Sequence, residues 1–182
     1  MKQLIFIQTT NDMNSNVKLY SLSLRETRTY LFAAAFIVGN IVFPQLCHAL
    51  IPKGGLIFLP IYFFTLIGAY KYGAKVGMLT AIFSPIINSV VFGMPAPAAL
   101  PMILMKGVLL AAAASWIAGR ARKVSVLWLI AVVLMYQVVG CAIEWAVKGS
   151  FVAGVQDFRL GVPGMLIQVV GGWALLKYVL HK

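Results

Sequence analysis

Six long apolar runs, separated by short polar segments, set the pattern of the chain. They extend over about 29–50, 56–70, 76–92, 98–118, 124–145 and 162–180, and the second is the shortest. An α-helix needs about 20 residues to cross a hydrocarbon layer of ~30 Å. Continuous runs near this length span as helices, because the backbone must then satisfy its own hydrogen bonds. The pattern predicts an all-α integral membrane protein with six transmembrane helices.

The polar stretch before the first run divides the chain in two. Residues 1–28 form a predicted N-terminal segment, and residues 29–182 form the six-helix transmembrane domain. The apolar stretch 4–7 is too short for the apolar core of a cleavable signal peptide, so none is predicted. We expect the N-terminal segment to be cytoplasmic.

The distribution of basic residues predicts the orientation. With the N-terminus inside, three basic residues fall in outer loops (Lys53, Lys148 and Arg159), and Lys106 falls within a span. The other 11 of the 15 Lys and Arg residues fall in the inner segments. Positive charge collects on the cytoplasmic side of membrane proteins. The bias therefore places both termini inside, as an even number of spans also requires.

Composition narrows the function classes. Apolar residues make up 62% and charged residues 10% of the chain, too few charges for the surface of a soluble domain of this size. The net charge of +11 lies in short clusters between apolar runs, without a nucleic-acid module, so nucleic acid is not a predicted partner. Cys47 and Cys141 lack metal or redox spacing and are expected to be buried.

Enzymatic chemistry has few side chains available. The four carboxylates are Asp12, Glu26, Glu144 and Asp157, and no pair has the spacing of a two-metal site. The HExxH and Gly-x-Ser-x-Gly motifs are absent from the sequence. We therefore expect a binding or transport protein rather than an enzyme, with no cofactor and no metal.

Polar residues within the spans are the candidate binding groups. Lys106 comes first, because a cation inside a membrane is costly and marks a functional site by default. Gln137, Cys141 and Glu144 follow i, i+4, i+7 spacing and share one helix face. Asn88 and Gln168 lie near the outer ends of the third and sixth runs. Most of these groups fall in the outer half, which predicts a concave site open to the outside.

Simpler interpretations stay open for each group. Lys106 could extend its ammonium to the outer headgroups, and Glu144 beside Trp145 could be an ordinary interface residue. Gln137, Gln168 and Asn88 could be hydrogen-bonding contacts between helices.

Small residues at four-residue spacing suggest close helix packing. Gly107, Ala111, Ser115 and Gly119 form one such stripe, and Ala35 and Gly39 another. Such stripes let helix backbones approach closely, either within the bundle or on a partner membrane protein.

Three stretches give the chain a family resemblance. They are Ile51–Pro60 (IPKGGLIFLP), Gly68–Gly77 (GAYKYGAKVG) and Phe92–Pro95 (FGMP). With its size and six predicted spans, the chain resembles the substrate-binding S component of energy-coupling factor (ECF) transporters, a type of ABC importer for vitamins and related micronutrients. The first outer loop, 49–55, is shorter than the lid that relatives often carry.

The resemblance implies a multi-pass protein of the bacterial or archaeal plasma membrane. It implies an outer site built mainly from the fourth to sixth helices and the outer loops. The stripe Ala35–Gly39 would dock on a membrane coupling subunit driven by two ATPase subunits. The S component would topple in the lipid bilayer to release its ligand inside, and would not itself bind ATP.

These observations give two hypotheses of different class. In the first, the protein captures a small vitamin-like ligand: Lys106 meets a carboxylate or phosphate, and Glu144 meets an amine or ring nitrogen. Aromatic stacking is assigned to Tyr136, Trp145 and Phe92, and hydrogen bonding to Asn88, Gln137 and Gln168. In the second, the protein is an assembly subunit of another membrane complex and has no ligand of its own.

Overall fold

The computed structural model describes residues 18–52 and 54–180, with Asp157 described by its backbone alone. Every regular element in these ranges is helical. In chain order they are α1 Thr27–Leu50, α2 Gly54–Phe58, a 3-10 turn at Pro60–Tyr62, α3 Phe63–Tyr72, α4 Ala74–Phe92, α5 Leu100–Ala121, α6 Val126–Lys148, α7 Phe151–Gly154, α8 Gln156–Leu160 and α9 Val162–Val179. Residues 1–17 of the predicted N-terminal segment lie outside the described ranges.

Five helices within the described ranges are long and apolar enough to cross a membrane: α1, α4, α5, α6 and α9. Their bounds agree closely with five of the six predicted spans. The helices agree with the predicted all-α, multi-pass membrane class.

The second predicted span differs from the expected continuous helix. The chain forms α2, breaks at Leu59, makes a 3-10 turn at Pro60–Tyr62 and only then enters α3. Leu59 adopts a left-handed conformation with φ of 46° and ψ of 44°. The residue before a proline is disfavoured in the right-handed helical region, which explains why the helix stops immediately before Pro60. The prediction of one unbroken second helix is therefore wrong at this point.

Glycines end two of the long helices. Gly93 (φ 68°) follows α4, and Gly149 (φ 65°) follows α6, each in the left-handed conformation that ends many helices at low steric cost. Both stops lie at one end of the bundle, together with the start of α5. We call this end, which holds α2 and the C-terminal turn of α6, the Glu144 end, and the opposite end the Lys123 end.

Helix α4 occupies a central position and packs against α1, α3 and α5, while α5 also contacts α3 and α6. Buried aliphatic and aromatic side chains fill the space between them, among them Leu66, Ile67, Leu110, Leu129 and Leu176. Many apolar side chains remain on the outer surface of the helices, including Leu31, Val90 and Leu127. An apolar exterior of this kind suits a lipid environment.

A buried asparagine links α1 to the broken second segment. Asn40 Oδ1 accepts a hydrogen bond of 3.1 Å from the backbone N–H of Phe64, a group in the first turn of α3 that has no partner within its own helix. Asn40 Nδ2 donates to Thr65 Oγ1 and Ser84 Oγ. One side chain thereby joins α1, α3 and α4 and fixes where α3 begins.

The end of the N-terminal segment packs at the Lys123 end. The backbone N–H groups of Tyr20 and Leu22 donate to the carbonyls of Lys71 and Tyr72. The Lys71 side chain, expected in an inner loop, is buried, and its ammonium donates to the Lys18 carbonyl at 2.5 Å. The described part of the segment is thus held against the helices.

Candidate functional site

A buried ion pair lies inside the bundle near the Glu144 end. Lys106 of α5 is 1% exposed and Glu144 of α6 is 5% exposed. The Lys106 ammonium donates to Glu144 Oε2 at an N–O distance of 2.5 Å. Two charges taken out of water cost several kcal/mol each, and close pairing offsets this cost. The structure therefore directs Lys106 to a partner within the bundle, and not toward lipid headgroups.

The Glu144 carboxylate holds a second lysine. Its Oε1 atom accepts a hydrogen bond from the Lys148 ammonium, also at 2.5 Å. The Lys148 side chain is 43% exposed, whereas that of Glu144 is 6% exposed. The three groups form a line from the interior to the surface. Two ammonium groups and one carboxylate give this line a net charge of +1.

A glycine on α6 leaves space for the Lys106 side chain. Gly140 faces α5, and a Cβ atom placed there would lie 2.9 Å from Lys106 Cγ. Real Cβ atoms essentially never approach so closely, so any larger residue at position 140 would displace the lysine. Gly140 precedes Glu144 by four residues and lies on the same helix face. The helix therefore provides the space and the counter-ion from one face.

A cavity of about 260 Å³, which we call the charged cavity, opens beside this line. Glu144 and Lys148 are the charged residues among its lining, and Gln156 of α8 adds an amide. The remaining wall is mostly apolar and comes from α2, the break before α3 and the start of α5: Gly55, Leu56, Leu59, Ile61, Tyr62, Ala98, Ala99, Met102 and Ile103. An apolar cavity with a few polar groups is typical of small-molecule sites.

A second cavity, of about 290 Å³, lies at the same end and contains His48. We call it the His48 cavity. It also presents the side chains of Gln45 and Asn88. Asn88 Nδ2 donates to the Asn40 carbonyl at 2.9 Å, and Gln45 Nε2 donates to Asn88 Oδ1 at 3.3 Å. Both cavities are lined by the same wall: Gly55, Leu56, Ile61, Ala99 and Ile103.

A larger hollow of about 650 Å³ lies at the Lys123 end, next to Tyr20, Trp116 and Arg122. It lies at the opposite end of the bundle from the ion pair, and small residues make up much of its wall. The candidate site is therefore placed at the Glu144 end, where buried charge and cavity meet.

A layer of neutral polar groups lies on α6 and α9. The Tyr136 hydroxyl donates to Gln168 Oε1 at 3.1 Å. Gln137 is fully buried, and neither atom of its amide has a hydrogen-bond partner within the described residues. Gln168 lies in a π-helical turn of α9, a distortion that is frequent at functional sites. Gln137 lies seven residues before Glu144 on the same face and hence about two turns deeper.

Two of the predicted stacking residues lie away from these groups. Trp145 is 51% exposed and contacts Phe151 edge-on, and Phe92 is 47% exposed at the end of α4. Neither is among the residues that line the two cavities. Tyr136, the third predicted stacking residue, is buried beside Tyr62, with ring centroids 5.6 Å apart.

The predicted docking stripe on α1 has two different environments. Ala35 is exposed, but Gly39 faces Phe64 of α3, because a Cβ at position 39 would lie 2.8 Å from the Phe64 ring. Gly39 thus makes a close contact within this chain. The stripe on α5 is likewise partly internal, since Ala111 is fully buried.

Sequence reasoning missed the cavity-lining position of Lys148, which was assigned to an outer loop. Its i, i+4 spacing from Glu144 was the available signal, since that order of charges favours a pair on a helix. It also missed Gln156 and the wall formed at Leu59 and Ile61. No pattern marks those residues, because their position follows from the break before Pro60.

Within residues 18–52 and 54–180, no group of three or more His, Cys, Asp or Glu side chains is placed to hold a metal ion. No protein-family model, curated protein or solved structure matches the chain. Functional conclusions therefore depend on the site itself.

Proposed function

We propose that the protein is the substrate-binding membrane subunit of an energy-coupling factor importer, an S component that captures a small vitamin-like nutrient from outside. In this proposal the chain crosses the membrane six times, with both termini inside. The segment made of α2, the 3-10 turn and α3 provides the second crossing in chain order, in addition to the five long helices. The bias of 11 inner to 3 outer basic residues supports this orientation.

The observation that carries the proposal is the buried Lys106–Glu144 pair beside the charged cavity. A membrane protein that served only as an assembly subunit would gain little from an ion pair inside its bundle, because hydrophobic residues of similar volume are often as stable or more stable. Intramembrane charges mark ligand or ion sites by default. The proposed orientation opens both cavities toward the outside, where a nutrient would be captured.

A binding subunit of this kind needs an energy source supplied by other proteins. The sequence contains no P-loop motif, so ATP hydrolysis would come from separate ATPase subunits through a membrane coupling subunit. The exposed apolar surface that includes Leu31, Val38 and Val42 of α1 is available for such a subunit.

Purification of the tagged protein from its own membranes in mild detergent tests this proposal. We expect it to retain a membrane coupling subunit and P-loop ATPases, identified by mass spectrometry. A matched sample with Ala35→Trp on the exposed face of α1 should lose these subunits, whereas Leu127→Trp on lipid-facing α6 should keep them. Purification without any ATPase, in every sample, would contradict the importer.

A further inference from the structure

The charge balance of the site assigns different roles to its two lysines. Both oxygens of Glu144 already accept hydrogen bonds from lysines: Oε2 from the buried Lys106 and Oε1 from Lys148. Lys106 does not line the charged cavity, whereas Glu144 and Lys148 do. The group that a bound molecule meets at the cavity surface is therefore a neutralised carboxylate next to an ammonium.

The Lys148 ammonium has capacity for another acceptor. An ammonium carries three N–H donors, and the contact to Glu144 Oε1 uses one of them. The side chain is 43% exposed, so a molecule in the cavity can reach it without entering the bundle. The Glu144 contact also restricts its motion, which lowers the entropy cost of a further contact.

The surroundings favour an anion at this point. The line Lys106, Glu144 and Lys148 carries a net charge of +1 in a largely apolar wall, where electrostatic interactions are stronger than in water. Helix α5 begins at Leu100, and Ala98 and Ala99 at its start line the same cavity. The positive end of a 22-residue helix therefore adds to the positive potential.

From this arrangement we infer that the charged cavity binds a molecule with an apolar body and a carboxylate or phosphate group, and that Lys148 contacts the anionic group. Lys106 is a positioning residue: it holds Glu144, which in turn holds Lys148. This inference rests on the proposed function as a small-molecule binding subunit. It changes the sequence-based assignment, in which Lys106 met the anion and Glu144 met an amine.

The apolar body has a defined place in the same cavity. Leu56, Leu59, Ile61 and Ile103 supply most of the aliphatic wall, and Tyr62 supplies an aromatic ring. The volume of about 260 Å³ accommodates a body of two fused rings or less. The occupant is thus a small organic anion with an apolar body.

A matched pair of probes tests the inference directly: 2-naphthoate, which carries a carboxylate, and its uncharged amide, 2-naphthamide. Their dissociation constants are measured with the full-length protein in lipid nanodiscs. We expect the carboxylate to bind at least about tenfold more tightly than the amide, the ratio that one charged hydrogen bond supplies. Lys148→Met should remove this preference, because it should weaken binding of the carboxylate much more than binding of the amide. Lys75→Met, which removes an exposed lysine at the Lys123 end, should retain the preference.

Three results would overturn the inference: equal binding of the two probes, an unchanged preference in Lys148→Met, or no binding of either probe. In the first two cases a small molecule still binds, so the proposed function stands. In the third, the retention of ATPase subunits by the purified protein decides the proposed function separately.

Discussion

At the scale of single residues, the burial of Lys106 is the most unusual feature of the molecule. A lysine that is 1% exposed within an apolar bundle is stable only beside a counter-charge. Here the Lys106 ammonium nitrogen lies 2.5 Å from Glu144 Oε2. Each partner keeps the other from being a buried, uncompensated charge. The pair therefore contributes to stability mainly through the cost of separating it.

Lys106→Met tests this dependence. The substitution keeps most of the side-chain volume but leaves Glu144 buried with Lys148 as its remaining lysine. We expect the free energy of unfolding to fall by about 3 kcal/mol, the lower end for breaking a buried pair. The measurement is unfolding by SDS titration in mixed micelles.

Lys148→Met is the matched control, because its side chain is 43% exposed and pairs of this kind contribute about 1 kcal/mol or less. The double variant Lys106→Met with Glu144→Met should recover much of the lost stability, since no buried charge remains. Equal losses of unfolding free energy in Lys106→Met and Lys148→Met would show that the interior pair stabilises the protein no more than the exposed one.

Gly140 gives a second prediction at this scale. Gly140→Val should displace Lys106, since even a Cβ would lie 2.9 Å from Lys106 Cγ, and should lower the SDS midpoint. Gly119→Val, on α5, meets no atom within 4 Å and should leave the midpoint nearly unchanged. The reverse order of the two midpoints would refute the packing of Lys106 across Gly140.

Sequence reasoning could identify Lys106 and Glu144 as unusual and place them at similar depth. It could not predict their direct contact, because no pattern states which faces of α5 and α6 meet. Gly140 leaves the space through which Lys106 reaches Glu144. Glycines are common in membrane helices, however, and most of them do not accommodate a lysine. The residues were thus predictable as candidates, and their pairing was not.

At the scale of elements, the second segment is where sequence and structure differ most. Apolar runs predict long helices well, because the membrane leaves the backbone no other means of forming hydrogen bonds. The break at Leu59 is a local effect of Pro60, and the residues around it form part of the wall of both cavities. The feature that the hydrophobic pattern misses is therefore the one that shapes the site.

Asn40→Leu tests how α3 is held after this break. The substitution removes the acceptor of the partly buried Phe64 N–H, and it also removes the two buried hydrogen bonds that Asn40 Nδ2 donates to Thr65 and Ser84. We expect a loss of about 2 kcal/mol in the free energy of unfolding, within the cost of one buried unsatisfied group. Unfolding by SDS titration measures it.

Gln45→Leu is the control on the same helix, because Gln45 makes one partly buried bond to Asn88. It should cost less than about 1 kcal/mol, as single polar contacts between membrane helices do. A larger loss for Gln45→Leu than for Asn40→Leu would contradict the linking role of Asn40.

At the scale of the whole molecule, both small cavities and the ion pair lie at one end, and basic residues that we predict to be inner, such as Lys71, Lys75 and Lys123, lie at the other. Single cysteines test the proposed orientation. Ala96→Cys, in the connection before α5, should react with a membrane-impermeant maleimide in intact cells. Lys123→Cys, at the opposite end, should react only after the cells are opened. The native Cys47 and Cys141 are buried, so the unsubstituted protein gives the background. If Lys123→Cys, and not Ala96→Cys, reacted in intact cells, the orientation would be the reverse of the proposed one.

Capture of a small molecule at the Glu144 end is the central claim, and native mass spectrometry of the protein from its own membranes tests it most directly. The proposal predicts a bound small molecule on the unsubstituted protein. Ala99→Trp places a large side chain on the wall shared by both cavities, so this variant should lose the bound molecule. Val90→Trp, on the exposed face of α4, should retain it. A protein that carries no small molecule, or an Ala99→Trp variant that carries it undiminished, would contradict the claim.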